Sequence, residues 1–211
     1  MYKNTKKTTI KALTLGLILA LSIGCTNGSD GDGGDDPDDF NFDLSSLFNN
    51  FVAVGNSDIE AYSEDGTEWT TASVPSEWFG NICYGNGRFV QVNASGKAAY
   101  SKDGIIWKTT TLPSLPDPDF MFWSSVCYGN DRFVAVASGN NRAAYSIDGI
   151  TWRAATLPSS ANWQSVTYGK DRFVAVACGS NKTAYSTDGI TWGATLQLTS
   201  TKWNSVCFGG E

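Results

Sequence analysis

Residues 123–158 read W-S-S-V-C-Y-G-N-D-R-F-V-A-V-A-S-G-N-N-R-A-A-Y-S-I-D-G-I-T-W-R-A-A-T-L-P, and residues 163–198 repeat that run almost word for word. Looser copies lie upstream. Phe-Val-x-Val begins at Phe51, Phe89, Phe133 and Phe173; an Asp-Gly pair falls at Asp65, Asp103, Asp148 and Asp188, and a Trp follows at Trp69, Trp107, Trp152 and Trp192. A period of roughly 40 residues is the mark of a repeat architecture, in which stacked units share a core none could form alone.

Within each unit four short β-rich runs are separated by turn residues: S-V-C-Y before G-N-D-R, F-V-A-V-A before S-G-N-N, A-A-Y-S before D-G, and a run starting at the Trp. No apolar spacing of 3.6 residues is visible, which excludes a helical solenoid. Four strands in this length match one propeller blade. The chain is therefore expected to be all-β, a β-propeller of about four four-stranded blades. The first repeat has only the degenerate F-N-F-D-L-S-S-L in place of a first strand, while W-N-S-V-C-F-G at 203–209 is a first strand with nothing after it. The expectation is that this C-terminal strand pairs with the N-terminal blade and closes the ring; the alternative is a fragment of a larger propeller.

The segments S-E-D-G-T-E-W, S-K-D-G-I-I-W, S-I-D-G-I-T-W and S-T-D-G-I-T-W place a hairpin turn between strands three and four of each unit. Asp65, Asp103, Asp148 and Asp188 can bond the turn backbone, and Gly66, Gly104, Gly149 and Gly189 supply a positive φ. Trp69, Trp107, Trp152 and Trp192 can cover the hairpin. This role is structural. The segments resemble the Asp-box of sialidase-like and photosystem-assembly-factor propellers, S-x-D-x-G-x-x-W, one residue shorter before the Gly. That resemblance, over residues 51 to 208, implies blade architecture and not an activity. Sialidases also need an arginine triad and an Arg-Ile-Pro segment, and the sequence has no Arg-Ile-Pro. Arg88, Arg132 and Arg172 share one repeat position, so duplication explains them, with each guanidinium capping a turn or pairing with Asp131 or Asp171.

Upstream, Lys3, Lys6, Lys7 and Lys11 precede an apolar run from Ala12 to Ile23, which ends in L-S-I-G-C with Gly24 before Cys25. This resembles the lipobox of bacterial lipoproteins, which implies a signal peptide over residues 1–24 and a lipid-modified Cys25. Residues 25–43 read as an acidic, Gly/Asp-rich flexible tether, and 44–211 as the repeat domain. Thr26 stands where an Asp would favour retention at an inner membrane, so an outer-membrane place in the cell envelope is expected. D-G-D-G-G-D in the tether lacks the twelve-residue pattern of a calcium loop.

The chain carries a formal net charge of −6, and seven acids lie between Asp30 and Asp43, so the repeats have no basic stripe to attract nucleic acid. It has no His, which excludes the usual triads and most zinc and copper sites. No cofactor or metal is expected. Cys83, Cys127 and Cys207 share one first-strand position and, with Cys178, are expected to be buried free thiols. A carboxylate-pair glycosidase would have to draw on Glu60, Glu64, Glu68, Glu77, Glu211 and turn Asp residues.

Loops joining strands two and three, and those joining successive blades, share one propeller face. The candidate ligand face therefore carries Asn140, Asn141, Arg142, Asn181 and Lys182, with Phe79, Trp123, Trp163 and Trp203 opening the first strands. It also carries Phe120, Met121 and Phe122 from the insertion at 115–122. For the Trp residues the competing role is to wedge blades together. Three functions remain: a non-enzymatic binding or scaffold module, a carbohydrate-binding or degenerate glycosidase propeller, and an envelope assembly factor. The partner is a membrane, reached through the lipid, and an unknown protein or glycan.

Overall fold

The computed structural model describes residues 50–55, 59–73, 80–113 and 122–209, which fall in one compact unit, Asp43–Glu211. The described residues form β-strands joined by turns, with no helix among them. The first repeat gives β1 (Phe51–Val54), β2 (Ile59–Ser63) and β3 (Thr70–Ser73); the second gives β4 (Asn81–Gly85), β5 (Arg88–Val92), β6 (Lys97–Ser101) and β7 (Lys108–Thr111). Then follow β8 (Phe122–Gly129), β9 (Arg132–Ser138), β10 (Asn140–Ser146), β11 (Arg153–Gly169), β12 (Arg172–Ser186) and β13 (Gly193–Lys202). Strands pair antiparallel with their chain neighbours, as up-and-down blades require.

The long strand β11 serves two blades. Residues 153–156 pair with β10 as the outer strand of the third repeat, and residues 162–169 pair with β12 as the inner strand of the fourth. One continuous extended segment thus replaces a blade-to-blade loop. In each repeat the fourth strand begins one residue after the Trp, not at it, because the Trp folds back over its own hairpin; the Trp107 indole donates to Gly104 O at 3.1 Å.

The core lies between blades. In β9 the period-2 alternation sends Phe133, Ala135 and Ala137 into the cluster shared with the second repeat, and Val134 and Val136 into the cluster shared with the fourth. Both faces of the strand are buried, which is why F-V-A-V-A is apolar throughout. Each fully buried Phe, Val or Trp contributes about 1.5–3 kcal/mol relative to exposure.

Every Asp-Gly hairpin is held the same way. In the third repeat Asp148 Oδ1 accepts from Ile150 N at 2.9 Å, Thr151 N at 2.7 Å and Ser146 Oγ at 2.9 Å, while Gly149 N donates to Ser146 Oγ at 2.8 Å. Ser63, Ser101 and Ser186 occupy the equivalent positions and are equally buried. Gly149 has φ +68°, and a Cβ there would meet Val90 Cγ2 of the preceding blade at 2.7 Å, so both conformation and space select Gly. Burial pushes the Asp148 carboxyl up, but the Thr151 and Ile150 amides and the Ser146 hydroxyl outweigh it, and the group sits below its usual range. Asp148→Ala strips three donors of their acceptor and is expected to cost about 1–3 kcal/mol. Urea denaturation checks this, and an unchanged midpoint would contradict the structural role.

Adjacent blades are stitched at the same end of the fold. Asn50, Asn86 and Asn130 donate from their Nδ2 to the carbonyls of Asp103, Ile147 and Thr187 in the next repeat, at 2.7, 3.3 and 3.1 Å. The first strands stack directly: Gly85 lies under the Tyr128 ring, Gly129 under Tyr168, and Gly169 under Phe208. Backbone amides donate to side chains of the preceding blade along the stack, Val126 N to Asn81 Oδ1, Val166 N to Ser125 Oγ and Val206 N to Ser165 Oγ.

The expected pairing of the C-terminal strand with the first blade is not seen among the described residues, where 203–209 join no strand ladder. Residues 203–209 lie against the fourth repeat, in the place the first strand of a fifth blade would take. Among the described residues β1 pairs with β2 alone. Phe208 seats on Gly169 as Tyr168 seats on Gly129, the contact each first strand makes with the blade before it.

Candidate binding face

Five of the sequence-predicted residues lie on the face made by the strand-two-to-three turns and the blade connections. Gly139 N donates to Ala161 O at 3.0 Å, and Asn140 pairs with Ala161 across the ladder, so the turn and the connection form one ridge. Asn140 Oδ1 accepts from Arg142 N at 2.9 Å, and Lys182 Nζ donates to Ser160 O at 2.8 Å. These polar groups hold their own ridge. Asn141 and Arg142 are half-buried, and burial draws the Arg142 guanidinium below its usual value. Asn181 is exposed.

The aromatic residues divide. Trp123 and Trp163 are 3% and 0% exposed, and the Trp163 indole donates to Ser159 O at 3.1 Å, so both wedge blades together and leave the ligand face. A large flat ring at the entrance of a first strand touches both neighbouring blades, which buries it whenever both blades are present. Trp203 is half-buried with its indole donating to Thr199 O, and Phe122 is 43% exposed. Phe79, Phe120 and Met121 lie outside the described residues, as do Cys25 and the whole of the leader and tether.

Two described grooves sit elsewhere, beside the Asp-Gly hairpins. One of about 400 Å³ is lined by Arg88, Tyr100, Asp103 and Lys108; the other, about 340 Å³, by Tyr145, Asp148, Thr151 and Arg153. Tyr100 and Tyr145, Asp103 and Asp148, and Lys108 and Arg153 are repeat equivalents, so these grooves are a by-product of blade geometry. Arg88 and Arg132 do not converge as a triad. Each packs under the hairpin glycine of the next blade, Gly149 or Gly189, and Arg132 Nε also donates to Asn130 O at 3.4 Å.

Sequence reasoning missed one buried polar pair. Glu60 and Gln91, 3% and 0% exposed, hydrogen-bond across the first and second blades, at positions where later repeats have Ala, Ala or Thr. Burial pushes the Glu60 carboxyl up to about 7, against the bonds from Gln91 and Trp107. The signal was legible as the departure of Glu60 from Ala98, Ala143 and Thr183. Of the thiols, Cys83 and Cys127 are pushed up by burial, and all four described cysteines are unpaired. Cys207 is exposed, contrary to expectation, because no described strand pairs with residues 203–209.

Together the antiparallel four-stranded sheets, their chain-order pairing and the cores between them define a β-propeller fold. Solved structures of similar fold include virginiamycin B lyase from Staphylococcus aureus, with 16% identity and TM-score 0.62, covering 74% of this chain and 55% of that one. YCF48 bound to D1 peptide matches with 15% identity and TM-score 0.56, over 76% and 54% of the two chains. The computationally designed Ika8 protein matches with 10% identity and TM-score 0.57, over 77% and 50%. The chain spans about half the length of these structures. No family model and no curated protein matches the sequence.

Proposed function

We propose that this chain is a lipid-anchored, non-enzymatic propeller that binds a protein partner at the cell envelope through the face carrying Asn181 and Phe122. One observation carries the reading: the repeated polar side chains are consumed in holding hairpins and ridges, as the Ser146, Asp148 and Lys182 bonds illustrate, which leaves a scaffold with exposed loop tips. The absence of His fits it as well, since a histidine-to-alanine variant of virginiamycin B lyase is described as catalytically inactive. The Asp-box resemblance supports blades without chemistry, and YCF48 is a propeller solved with a peptide, which favours a protein partner, and an assembly role, over a sugar. The lipobox-like segment ending at Cys25 and the acidic tether after it support anchoring at a membrane surface, and Thr26 favours the outer membrane over the inner.

Two measurements test this. Cys25→Ser is expected to move the protein from the detergent to the aqueous phase with unchanged thermal melting. Phe122→Ser with Asn181→Ala is expected to abolish capture of a partner from detergent extracts of the envelope, again without loss of stability. Unchanged partitioning removes the lipid anchor, and unchanged capture removes this face. Saturable binding on a glycan array transfers the reading to carbohydrate.

A further inference from the structure

We infer that the hairpin end of the second and third blades is a docking face for an anionic lipid surface. The inference rests on the proposed lipid anchor at Cys25 for what brings a membrane near, and on the described side chains for which face meets it.

Blade geometry puts an Asp-Gly hairpin at this end of every repeat, and the repeats differ in what they place on it. At the residue before the Asp, the residue before the Trp and the residue after the Trp, the first hairpin has Glu64, Glu68 and Thr70, and the fourth has Thr187, Thr191 and Gly193. The second has Lys102, Ile106 and Lys108, and the third has Ile147, Thr151 and Arg153. Only these two hairpins set an isoleucine beside cations. Ile106 and Ile147 are each 65% exposed, the most of any described large hydrophobic residue. The fold uses only the N–H of Ile106, which donates to Asp103 Oδ1, and the carbonyl of Ile147, which accepts from Asn86 Nδ2. Neither apolar side chain is needed for the turn.

The two tips form one patch. Arg88 lines a groove with Ile106 and Lys108, and its Cδ lies 3.3 Å from the place of a Cβ on Gly149, in the hairpin that carries Ile147. Lys102, Lys108 and Arg153 are exposed, and none has an ion-pair partner among the described residues. The Asp103 and Asp148 carboxylates are engaged by their own turn amides and Ser hydroxyls. Aliphatic tips ringed by cations are the pairing that holds an interfacial element on anionic headgroups, through apolar burial together with electrostatic attraction. On a chain of formal net charge −6 this gathering of cations is local.

The chain also arrives on this side. Asn50 donates to Asp103 O at 2.7 Å, so the described chain enters the blades at the hairpin end. The turns between strands two and three, with Asn181, lie at the other end, and the face proposed for the protein partner then points away from the bilayer.

The test uses the acylated full-length chain with Cys178→Ser and Cys207→Ser, to which Ile106→Cys or Asn181→Cys is added and labelled with bimane. It is reconstituted into vesicles of phosphatidylcholine and phosphatidylglycerol containing a nitroxide-labelled lipid. Fluorescence is expected to be lost from position 106 and kept at 181, and Lys102→Glu with Lys108→Glu is expected to restore it at 106. Loss at 181 in place of 106 overturns the inference. Retention at both positions, on a chain that floats with the vesicles, overturns it too and leaves the anchor standing; with no other protein present, the patch then falls to a protein partner. Loss at 106 that survives the lysine exchange overturns the anionic headgroup as the group recognised. A chain that does not float with the vesicles removes the anchor and this inference together.

Discussion

Gly129→Ala is expected to destabilise the protein by about 3–5 kcal/mol, beyond the usual cost of overpacking. The corresponding fall in Tm is on the order of 10 °C for a domain of this size. A Cβ at Gly129 would lie 2.0 Å from Tyr168 Cγ and 2.5 Å from Tyr168 Cβ. Rotating the ring away cannot help, because the root of the side chain is itself in contact. The only relief is to widen the spacing between the third and fourth blades, which would open the cluster around Trp163 and Phe173. Gly80→Ala serves as the control: nothing lies within 4 Å of a Cβ there, and its melting should match the parent. Equal melting of the two variants would show that the first-strand stack does not set blade spacing.

The second large effect depends on pH. Glu60 has a folded pKa of about 7, above the 4.5 of an unperturbed Glu, so the unfolded chain releases its proton first. Stability is therefore full below about pH 4.5, declines as pH rises toward 7, and is flat above, with a total loss of about 3 kcal/mol at 1.36 kcal/mol per pKa unit. Asp148 and Asp188 act in the opposite sense and in another window. Their carboxyls are held below the usual value of 3.8, so the stability they contribute is present above that pH and is lost as the solution is acidified. Replacing Glu60 and Gln91 together by Ala restores the residue pair that later blades use, where Ala98 meets Ala135 and Ala143 meets Ala175 inside the core. The double variant is expected to match the parent near pH 5 and to exceed it by up to about 3 kcal/mol at pH 8. Urea midpoints across pH 5 to 8 check this, and parallel profiles would show that Glu60 is not the titrating group.

Strand content, repeat period and the hairpin chemistry were legible in the sequence because each is local. Alternation along F-V-A-V-A, the Asp-Gly turn and the Trp after it all act within a few residues, and their fourfold recurrence in 51–208 leaves little room for another fold. The hairpin Ser, present in every S-x-D-G-x-x-W segment, was readable as a letter but not as a role. Its hydroxyl matters because it is buried and bonds both the Gly amide and the Asp carboxylate, a geometry that exists only once the turn has formed.

Contacts between blades were decided by tertiary structure alone. Whether Trp163 faces a ligand or a neighbouring blade depends on what lies across from it, and that partner is some forty residues away by repeat spacing. The same holds for Glu60, whose neighbour Gln91 comes from another blade, and for Phe208, which seats on Gly169. A sequence specifies which side chains share a strand face through its period of two. Which blade covers that face is set by stacking and spacing, through contacts as close as that of Tyr168 on Gly129, and these appear only when the repeats assemble.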